Sequence, residues 1–339
     1  MPFLPFLHAV AERRSLSCAE AREAMQAILG GEVSPAQISA FLVSLRMKGE
    51  TVEELVGFAR AMRQMAVRID VGLNGETLLD TCGTGGDGQS TFNISTIAAF
   101  VVAGAGVRVA KHGNRSLSSQ CGSADLLESL GISVTLAPER VAQSIREIGM
   151  GFLFAPALHT AMKHAQPVRA ELKMRTVFNL LGPLTNPAGA TAQLVGAPSA
   201  EAAELMAGAL AELGLAHGFV VHGSDGLDEI TTTGPTLAFE IREGRVERRT
   251  IGPEEFGVAR AAASDLKGGD KEMNAGIARG ILEGAKGAQR DIVLVNASAA
   301  LVAAGRAREF HEAMEIARKS IDSGAARRKA EEMARFGKG

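Results

Sequence analysis

The residues best suited to chemistry fall in four stretches of the chain. The first is Asp80-Thr81-Cys82-Gly83-Thr84-Gly85-Gly86-Asp87-Gly88-Gln89-Ser90-Thr91-Phe92-Asn93-Ile94-Ser95-Thr96. Its glycines let backbone approach a charged ligand. The free N–H groups of a following helix, with hydroxyls at Thr91, Ser95 and Thr96, suit an anion. The GK[ST] ending of a Walker A loop is missing, and the stretch is not a dinucleotide-fold GxGxxG turn with its later acidic partner. Asp87 is out of place in a pure anion loop unless a metal or a ligand hydroxyl sits beside it. The plainer alternative is a tight structural turn, which the strand–loop–helix context and the extra hydroxyls disfavour.

The second stretch, Lys111-His112-Gly113-Asn114-Arg115-Ser116-Leu117-Ser118-Ser119, follows an apolar run at Val107–Ala110. Lys offers a point charge and Arg a planar fork for phosphate oxygens, against the alternative of a solvated basic loop. Gly122-Ser123-Ala124-Asp125 opens the next helix and supplies a further candidate anion contact. The third stretch, Gly226-Leu227-Asp228-Glu229, puts adjacent carboxylates after a strand, which suits a hard cation whose shell is completed by substrate phosphates. A solvated acidic turn is the alternative there. The fourth, Pro156–Asn186, holds His159, Lys163, His164, Arg169, Lys173, Arg175 and Asn179. An Arg or His in such a run often makes only a surface ion pair or fills a core position. No serine or cysteine nucleophile with its base, and no zinc spacing, is visible. A phosphate loop, a basic wall and an acidic pair together imply a polyphosphorylated substrate with magnesium.

The elements that must position these residues show in the patterning. Ser17-Cys18-Ala19-Glu20 is a capping box, Ser34-Pro35 a helix start with Pro at its first position, and Thr51-Val52-Glu53-Glu54 a third start. Residues 1–66 are therefore expected as a small helical domain. Buried strands are expected at Thr77–Asp80, Val107–Ala110, Gly151–Phe154, Ala192–Gly196, Phe219–His222 and Ile292–Val295. Helical patterns are expected between them, at Ile94–Ala105, Ser123–Leu130, Glu139–Ile148, Glu201–Leu213 and Ala297–Ala304. That alternation predicts an α/β fold with a mainly parallel sheet flanked by helices across 70–330. Leu237–Ile241 and Arg245–Ile251 read as an antiparallel hairpin, Val168–Leu181 as one helix, and Ala307–Gly339 as one charged amphipathic helix. The loop chemistry from Pro167 to Pro187 suggests a crossing that returns to the helical domain.

Composition narrows the classes. The chain has 339 residues, 46% hydrophobic and 22% charged, with a net charge of −2, so it can bury a sizeable core without a basic nucleic-acid surface. Trp and Tyr are absent, which leaves only Phe for base stacking. Cys18, Cys82 and Cys121 are scattered and odd in number, which fits a reducing cytoplasm. No secretory segment is expected at Met1–Arg14, and the apolar stretch Thr96–Val107 is shorter than the ~20 residues a bilayer requires.

Taken together, Gly83–Asp87 with Thr91–Thr96, Lys111–Ser119, Asn179-Leu180-Leu181-Gly182-Pro183-Leu184-Thr185-Asn186-Pro187 and Asp228-Glu229 resemble the anthranilate phosphoribosyltransferase family over almost the whole chain. The resemblance implies transfer of a phosphoribosyl group from phosphoribosyl pyrophosphate to anthranilate in tryptophan biosynthesis. It also implies two magnesium ions per subunit and a cytoplasmic homodimer joined through the helical domain, with neither nucleic acid nor membrane as partner. It assigns Gly83, Gly86, Asp87, Thr91, Asn93, Ile94, Ser95 and Thr96 to the phosphoribosyl pyrophosphate loop. Lys111, His112, Gly113, Asn114, Arg115, Ser116, Leu117, Ser118 and Ser119 become the second wall of that site, with Ser123 as a further contact. Ser95 is implied on one magnesium, and Asp228 and Glu229 on the other. Gly83, Asn114 and Arg169 are implied at anthranilate, with His112 and His159 near its ring. Positioning falls to Asn114, Lys111 and Arg169, and no acid or base is assigned. Two rivals remain: a pyrimidine nucleoside phosphorylase, and a nucleic-acid-binding paralogue that has lost the enzyme. Magnesium-independent phosphorolysis of thymidine would mark the first, and a gel shift at moderate salt the second.

Overall fold

The computed structural model describes residues 3–73, 75–85, 87–116 and 120–338. Four helices come first: α1 (Leu4–Ala11), α2 (Cys18–Gly30), α3 (Pro35–Lys48) and α4 (Val52–Met65). The three starts legible in the sequence are complete capping boxes, Ser17 with Glu20, Ser34 with Gln37 and Thr51 with Glu54. Glu54 does more than cap. Fully buried, it also accepts from the Leu16 amide at 2.9 Å and pairs with Lys48 at 2.9 Å, tying three helices together.

The α/β part continues through β1 (Leu78–Gly83), α5 (Ile94–Gly104), β2 (Arg108–Gly113), α6 (Ser123–Ser129), α7 (Pro138–Glu147) and β3 (Met150–Phe154). Next come α8 (Ala155–Leu158), α9 (Gln166–Leu172), α10 (Phe178–Leu181), β4 (Ala192–Gly196), α11 (Ala200–Glu212), β5 (His217–Gly223) and the hairpin β6 (Thr236–Arg242) and β7 (Arg245–Ile251). Helices α12 (Lys271–Leu282), α13 (Ala288–Ala303), α14 (Phe310–Asp322) and α15 (Ala325–Phe336) close the chain.

The sheet order is β3-β2-β1-β4-β5-β6-β7, with β3 to β5 parallel and the last two strands antiparallel. From β1 the chain runs outward to β2 and β3, then crosses back to lay β4 on the other side of β1. The order therefore reverses at the C-terminal ends of β1 and β4, where open α/β sheets leave a crevice. Side chains alternate through the sheet. Leu79, Val109, Leu194 and Phe219 meet α5 and α13 on one face. Leu78 and Ala110 meet α7 on the other, and Val195 and Val220 meet α11 and the helical unit there.

Several expectations need correction. The strand expected at Ile292–Val295 is the middle of α13, a helix buried on every side from Ile292 to Ala303. A continuous apolar run has no period to separate strand from helix. The single helix expected over Val168–Leu181 is two short ones, α9 and α10, with Lys173 left-handed (φ 48°) at the break. The tail is likewise two helices, α14 and α15, separated by left-handed Gly324. Strand β2 runs on to Gly113, so Lys111 and His112 are strand residues and not part of a loop. The segment between β3 and β4 leaves the sheet and packs on the helical unit: α9 lies against α3, and Arg63 of α4 donates to the Leu184 carbonyl at 2.8 Å.

One buried side chain connects this framework to the acidic pair. Asn296 of α13, fully buried, accepts from the Ile230 amide and donates to the Ile230 and Ile292 carbonyls, each at 2.9 Å. Ile230 directly follows Glu229. Asn296→Ala should therefore lower the unfolding free energy by about 2 kcal/mol or more, because the Ile230 peptide loses both partners where no water replaces them. Urea unfolding measures it, and a loss under about 0.5 kcal/mol would show the amide to be dispensable.

Candidate active site

Asp228 and Glu229 sit over the ends of β1 and β4, half-buried. The turn that delivers them is folded by Asp225, whose carboxylate accepts from the Leu227 amide (3.1 Å) and the hydroxyls of Thr231 (2.6 Å) and Thr233 (2.7 Å). The strand ends beneath are the paired glycines Gly83 and Gly196. A Cβ on Gly83 would lie 2.6 Å from Asp228 Oδ2, and one on Gly196 would collide with the Asp228 carbonyl. Asp228 Oδ2 accepts from the Gly85 amide at 2.8 Å, and Glu229 Oε1 from the Ser95 amide at 3.0 Å. These bonds do not neutralise the cluster. Burial first, then the charges of Glu229 and Asp87, hold the Asp228 carboxyl well above the usual carboxylate range. Burial pushes Glu229 up to about 7, against the opposing pull of Lys111 and the Ser95 hydrogen bonds.

Crowded hard oxygens that resist ionising are the donor set a divalent cation relieves, so the residues fit magnesium. Among the described residues no cluster of three or more His, Cys, Asp or Glu forms a full metal cage. That agrees with a site whose shell substrate phosphates and water complete.

The glycine-rich loop is held in shape from within and from outside. Asp87 Oδ1 accepts from the Gln89 amide at 3.1 Å, Gln89 Nε2 donates to the Asp225 carbonyl at 2.8 Å, and Arg175 donates to the Gly85 carbonyl at 3.1 Å. Thr91 bridges to Lys267. Asn93, before α5, donates to the Cys121 carbonyl and accepts from Asn274, both at 3.1 Å. The free N–H groups expected at the start of α5 are not free. The amides of Ile94 and Thr96 donate to Phe92 and Asn93 carbonyls, and Ser95 serves Glu229. The side chains of Ile94 and Thr96 are buried as well. The Ser95 side chain, half-buried, lies in the crevice 3.4 Å from Lys111 Nζ.

Lys111 is buried under this loop and does not reach out from a wall. Its ammonium donates to the Thr81 carbonyl and lies within reach of Ser95. Burial lowers its pKa, and the charges of Asp80, Cys82 and Glu229 oppose that. Arg115, expected as a phosphate ligand, instead forks onto Glu128 with both nitrogens at 2.7 Å and reaches Asp125 at 2.8 Å. Ser123 ties down the Asn114 main chain, accepting from its amide at 3.2 Å and donating to its carbonyl at 3.1 Å. Asp125, in the first turn of α6, accepts from the Gly122 amide at 2.8 Å and the Ser116 amide at 3.5 Å. Gly113 is hemmed in by Ser123 and Phe152. Gly86, Leu117, Ser118 and Ser119 lie outside the described residues.

On the opposite side of the crevice His112 and His159 face each other, ring centroids 5.1 Å apart, both buried. His112 Nδ1 donates to the Gly182 carbonyl at 3.2 Å, so its Nε2 is the acceptor nitrogen. The Nε2 atoms of both rings have no partner among the described residues. Burial, with the His159 charge second, brings His112 down to about 3, and burial brings His159 to about 4. The His112 amide donates to Asp80 at 3.0 Å, and Asn186 donates to the same carboxylate at 2.7 Å. Arg169 is half-buried, its guanidinium 5.3 Å from the Phe178 ring centre and 3.4 Å from Gln166. The structure thus gathers Gly83, Asp87, Ser95, Lys111, Asp228 and Glu229 at one end of the sheet, with His112 and His159 beside the returning segment.

Asp80, Gln89, Arg175 and Asn186 lay inside the candidate stretches without an assigned role, and Asp225 lay just outside them. Asp80 stood inside an apolar strand, Asn186 inside a turn, and a buried carboxylate with an amide partner is visible only once β1 and the turn before β4 are adjacent.

This architecture is that of a glycosyl transferase. The chain matches the helical bundle domain of the glycosyl transferase family over residues 4–66 and its α/β domain over 75–327. It is 69% identical over 336 residues, 99% of both chains, to an anthranilate phosphoribosyltransferase of Solibacter usitatus. A Thermus thermophilus anthranilate phosphoribosyltransferase structure superposes with TM-score 0.93 at 46% identity, covering 98% of this chain and 99% of that one. The Saccharomyces cerevisiae enzyme in complex with PRPP and Mg gives 0.91 at 28% identity, covering 99% and 98%. The same yeast enzyme has also been solved with 4-fluoroanthranilate (TM-score 0.87, 27% identity, 99% of each chain). The chain belongs to the anthranilate phosphoribosyltransferase family. The nucleoside phosphorylase and nucleic-acid readings gain no support from these relatives.

The histidine pair generates a pH prediction. Each folded-state pKa lies below the ordinary 6.5, so the unfolded chain takes up protons first as pH falls. Their contribution to stability is full above pH 6.5 and is lost progressively below it, until about pH 4 for His159 and 3 for His112. Urea unfolding at pH 7 and pH 5 should show His159→Gln losing less stability than wild type, by up to about 1.4 kcal/mol per pH unit. Equal losses would mean that the ring is protonated in the folded protein.

Proposed function

We propose that the protein transfers the 5-phosphoribosyl group of phosphoribosyl pyrophosphate to the amine of anthranilate, releasing pyrophosphate, as a cytoplasmic step of tryptophan biosynthesis. One observation carries the donor side. Asp228 and Glu229, reluctant to ionise, crowd above two glycine-ended strands beside the glycine-rich loop, an arrangement whose ionised form added positive charge would favour. Asp228 and Glu229 would hold one magnesium and Ser95 another. When bound, the ions supply charge neutralisation of the leaving diphosphate.

The loop from Gly83 through Asp87 to Thr91, with Asn93 and Ser95, receives the diphosphate through backbone and hydroxyl groups. Lys111 acts from beneath, holding Thr81 and Ser95 in place. The acceptor lies toward Asn114, His112, His159 and Arg169. Arg169 pairs with its carboxylate, and two neutral imidazoles with open Nε2 atoms flank its ring. The C1–N bond forms as the C1–O bond to pyrophosphate breaks, and the nitrogen, made strongly acidic by bonding to C1, gives up one proton to water or to the departing pyrophosphate. Because an aryl amine is already neutral near pH 7, the residues present need only orient it, and no general base is required.

We further assign residues 1–66, with about 167–187, to one helical domain and 70–330 to the donor-binding domain. The homodimer is assigned to the face where α1, α3 and α9 meet. That face carries the exposed apolar side chains Leu4 (47%) and Met47 (69%), with Met174 (40%) just beyond α9. No helix among the described residues is long and apolar enough to cross a membrane.

Loss of anthranilate fluorescence in the presence of phosphoribosyl pyrophosphate and magnesium tests the reaction, and no loss with both reactants saturating rejects it. Asp228→Asn should cut turnover about 100-fold and shift the magnesium dependence, as expected when a charged ligand to a transition-state charge is removed; wild-type turnover would remove the carboxylate from the metal site. Arg169→Ala should raise the KM for anthranilate about ten-fold or more with little change for the donor. Equal effects on both substrates would count against the carboxylate clamp.

A further inference from the structure

We infer that Arg175 and Gln89 are positioning residues that set the shape of the phosphate loop, and that Arg175 makes this shape depend on the acceptor side of the site. The inference rests on the donor and acceptor reading above. The Gly85 backbone is held at both its polar groups: its N–H donates to Asp228 Oδ2 at 2.8 Å, and its carbonyl, in the following peptide unit, accepts from Arg175 Nη2 at 3.1 Å. Gly85 holds a left-handed conformation (φ 66°) that another residue adopts only with strain. Four residues on, Gln89 Nε2 donates to the Asp225 carbonyl at 2.8 Å, while the Asp87 carboxylate folds the stretch between them.

Asp225 is itself immobilised. Its carboxylate is consumed by Leu227, Thr231 and Thr233, the turn that carries Asp228 and Glu229. The loop is thus fastened at one point to the acidic turn by Gln89, and at another to the segment between α9 and α10 by Arg175. Arg169 sits in α9 itself, six residues before Arg175, with left-handed Lys173 between. A shift of α9 carried into the segment that follows it would reach the Gly85 carbonyl through Arg175, and the N–H of Gly85 orients Asp228. Neither Arg175 nor Gln89 needs to touch a reactant to act this way.

The test combines kinetics with amide hydrogen exchange. Removing a charged donor from a carbonyl predicts that Arg175→Leu raises the KM for phosphoribosyl pyrophosphate about ten-fold or more. The KM for anthranilate should rise with it, and exchange over residues 83–90 of the substrate-free protein should become faster. Arg175→Lys, which keeps charge and an N–H donor, should recover most of the loss. Gln89→Leu should raise the donor KM alone, since Asp225 holds nothing on the acceptor side. A donor KM within about two-fold of wild type in Arg175→Leu, unchanged loop exchange, or a lysine variant as impaired as the leucine one would each overturn the clasp. A wild-type protein without turnover would sink the transferase reading instead, and the exchange measurement would still judge the clasp.

Discussion

The site is organised around a repulsion that the protein maintains and only partly relieves. Asp87, Asp228 and Glu229 lie close together at the end of the sheet, and partial burial of Asp228 and Glu229 weakens the hydration that would stabilise their charges. Two backbone amides, from Gly85 and Ser95, and the Lys111 ammonium offset part of the cost. The remainder is left for a cation that arrives with a polyanionic substrate. Much of the surrounding geometry follows from keeping these oxygens together. The strands end in glycine because Asp228 lies on them, Asp225 spends its carboxylate on the turn, and Asn296 binds the next peptide from inside α13.

That constraint also bears on where the basic residues near the site sit. A cation placed directly among the carboxylates would neutralise the place where metal is needed. Lys111 is accordingly sunk beneath the loop and bonded to a carbonyl and a hydroxyl. Arg115 is paired off with Asp125 and Glu128, which shapes the turn leading into α6. The amides that open α5 are spent on the chain itself and on Glu229. Beside the returning segment, burial keeps His112 and His159 neutral, and their Nε2 atoms have no partner among the described residues.

Legibility in the sequence tracked how local each signal was. The capping boxes at Ser17, Ser34 and Thr51 need only three neighbouring residues, and they mark α2 to α4 correctly. The glycine-rich loop and the Asp228-Glu229 pair were visible because their residue types are unusual in adjacent positions. The Ile292–Val295 run misled because burial on all sides erases periodicity. The breaks at Lys173 and Gly324 depend on single left-handed residues that no pattern of polarity announces.

By itself, the sequence determined the two-part organisation, the alternation of strands and helices, the anion loop, the acidic pair and, through its ordered motifs, the family. These rest on contacts within a few residues or on the types of residue present. Tertiary structure alone decided which of the charged groups are available. Whether Lys111 or Arg115 can meet a ligand depends on Thr81, Ser95, Asp125 and Glu128, residues brought alongside by the sheet and by α6. The same holds for the grip of Arg175 on the Gly85 carbonyl and of Asp228 on the Gly85 N–H. Those partners lie 90 and 143 residues away along the chain, and only the crossing from β3 back to β4 places them within hydrogen-bond distance.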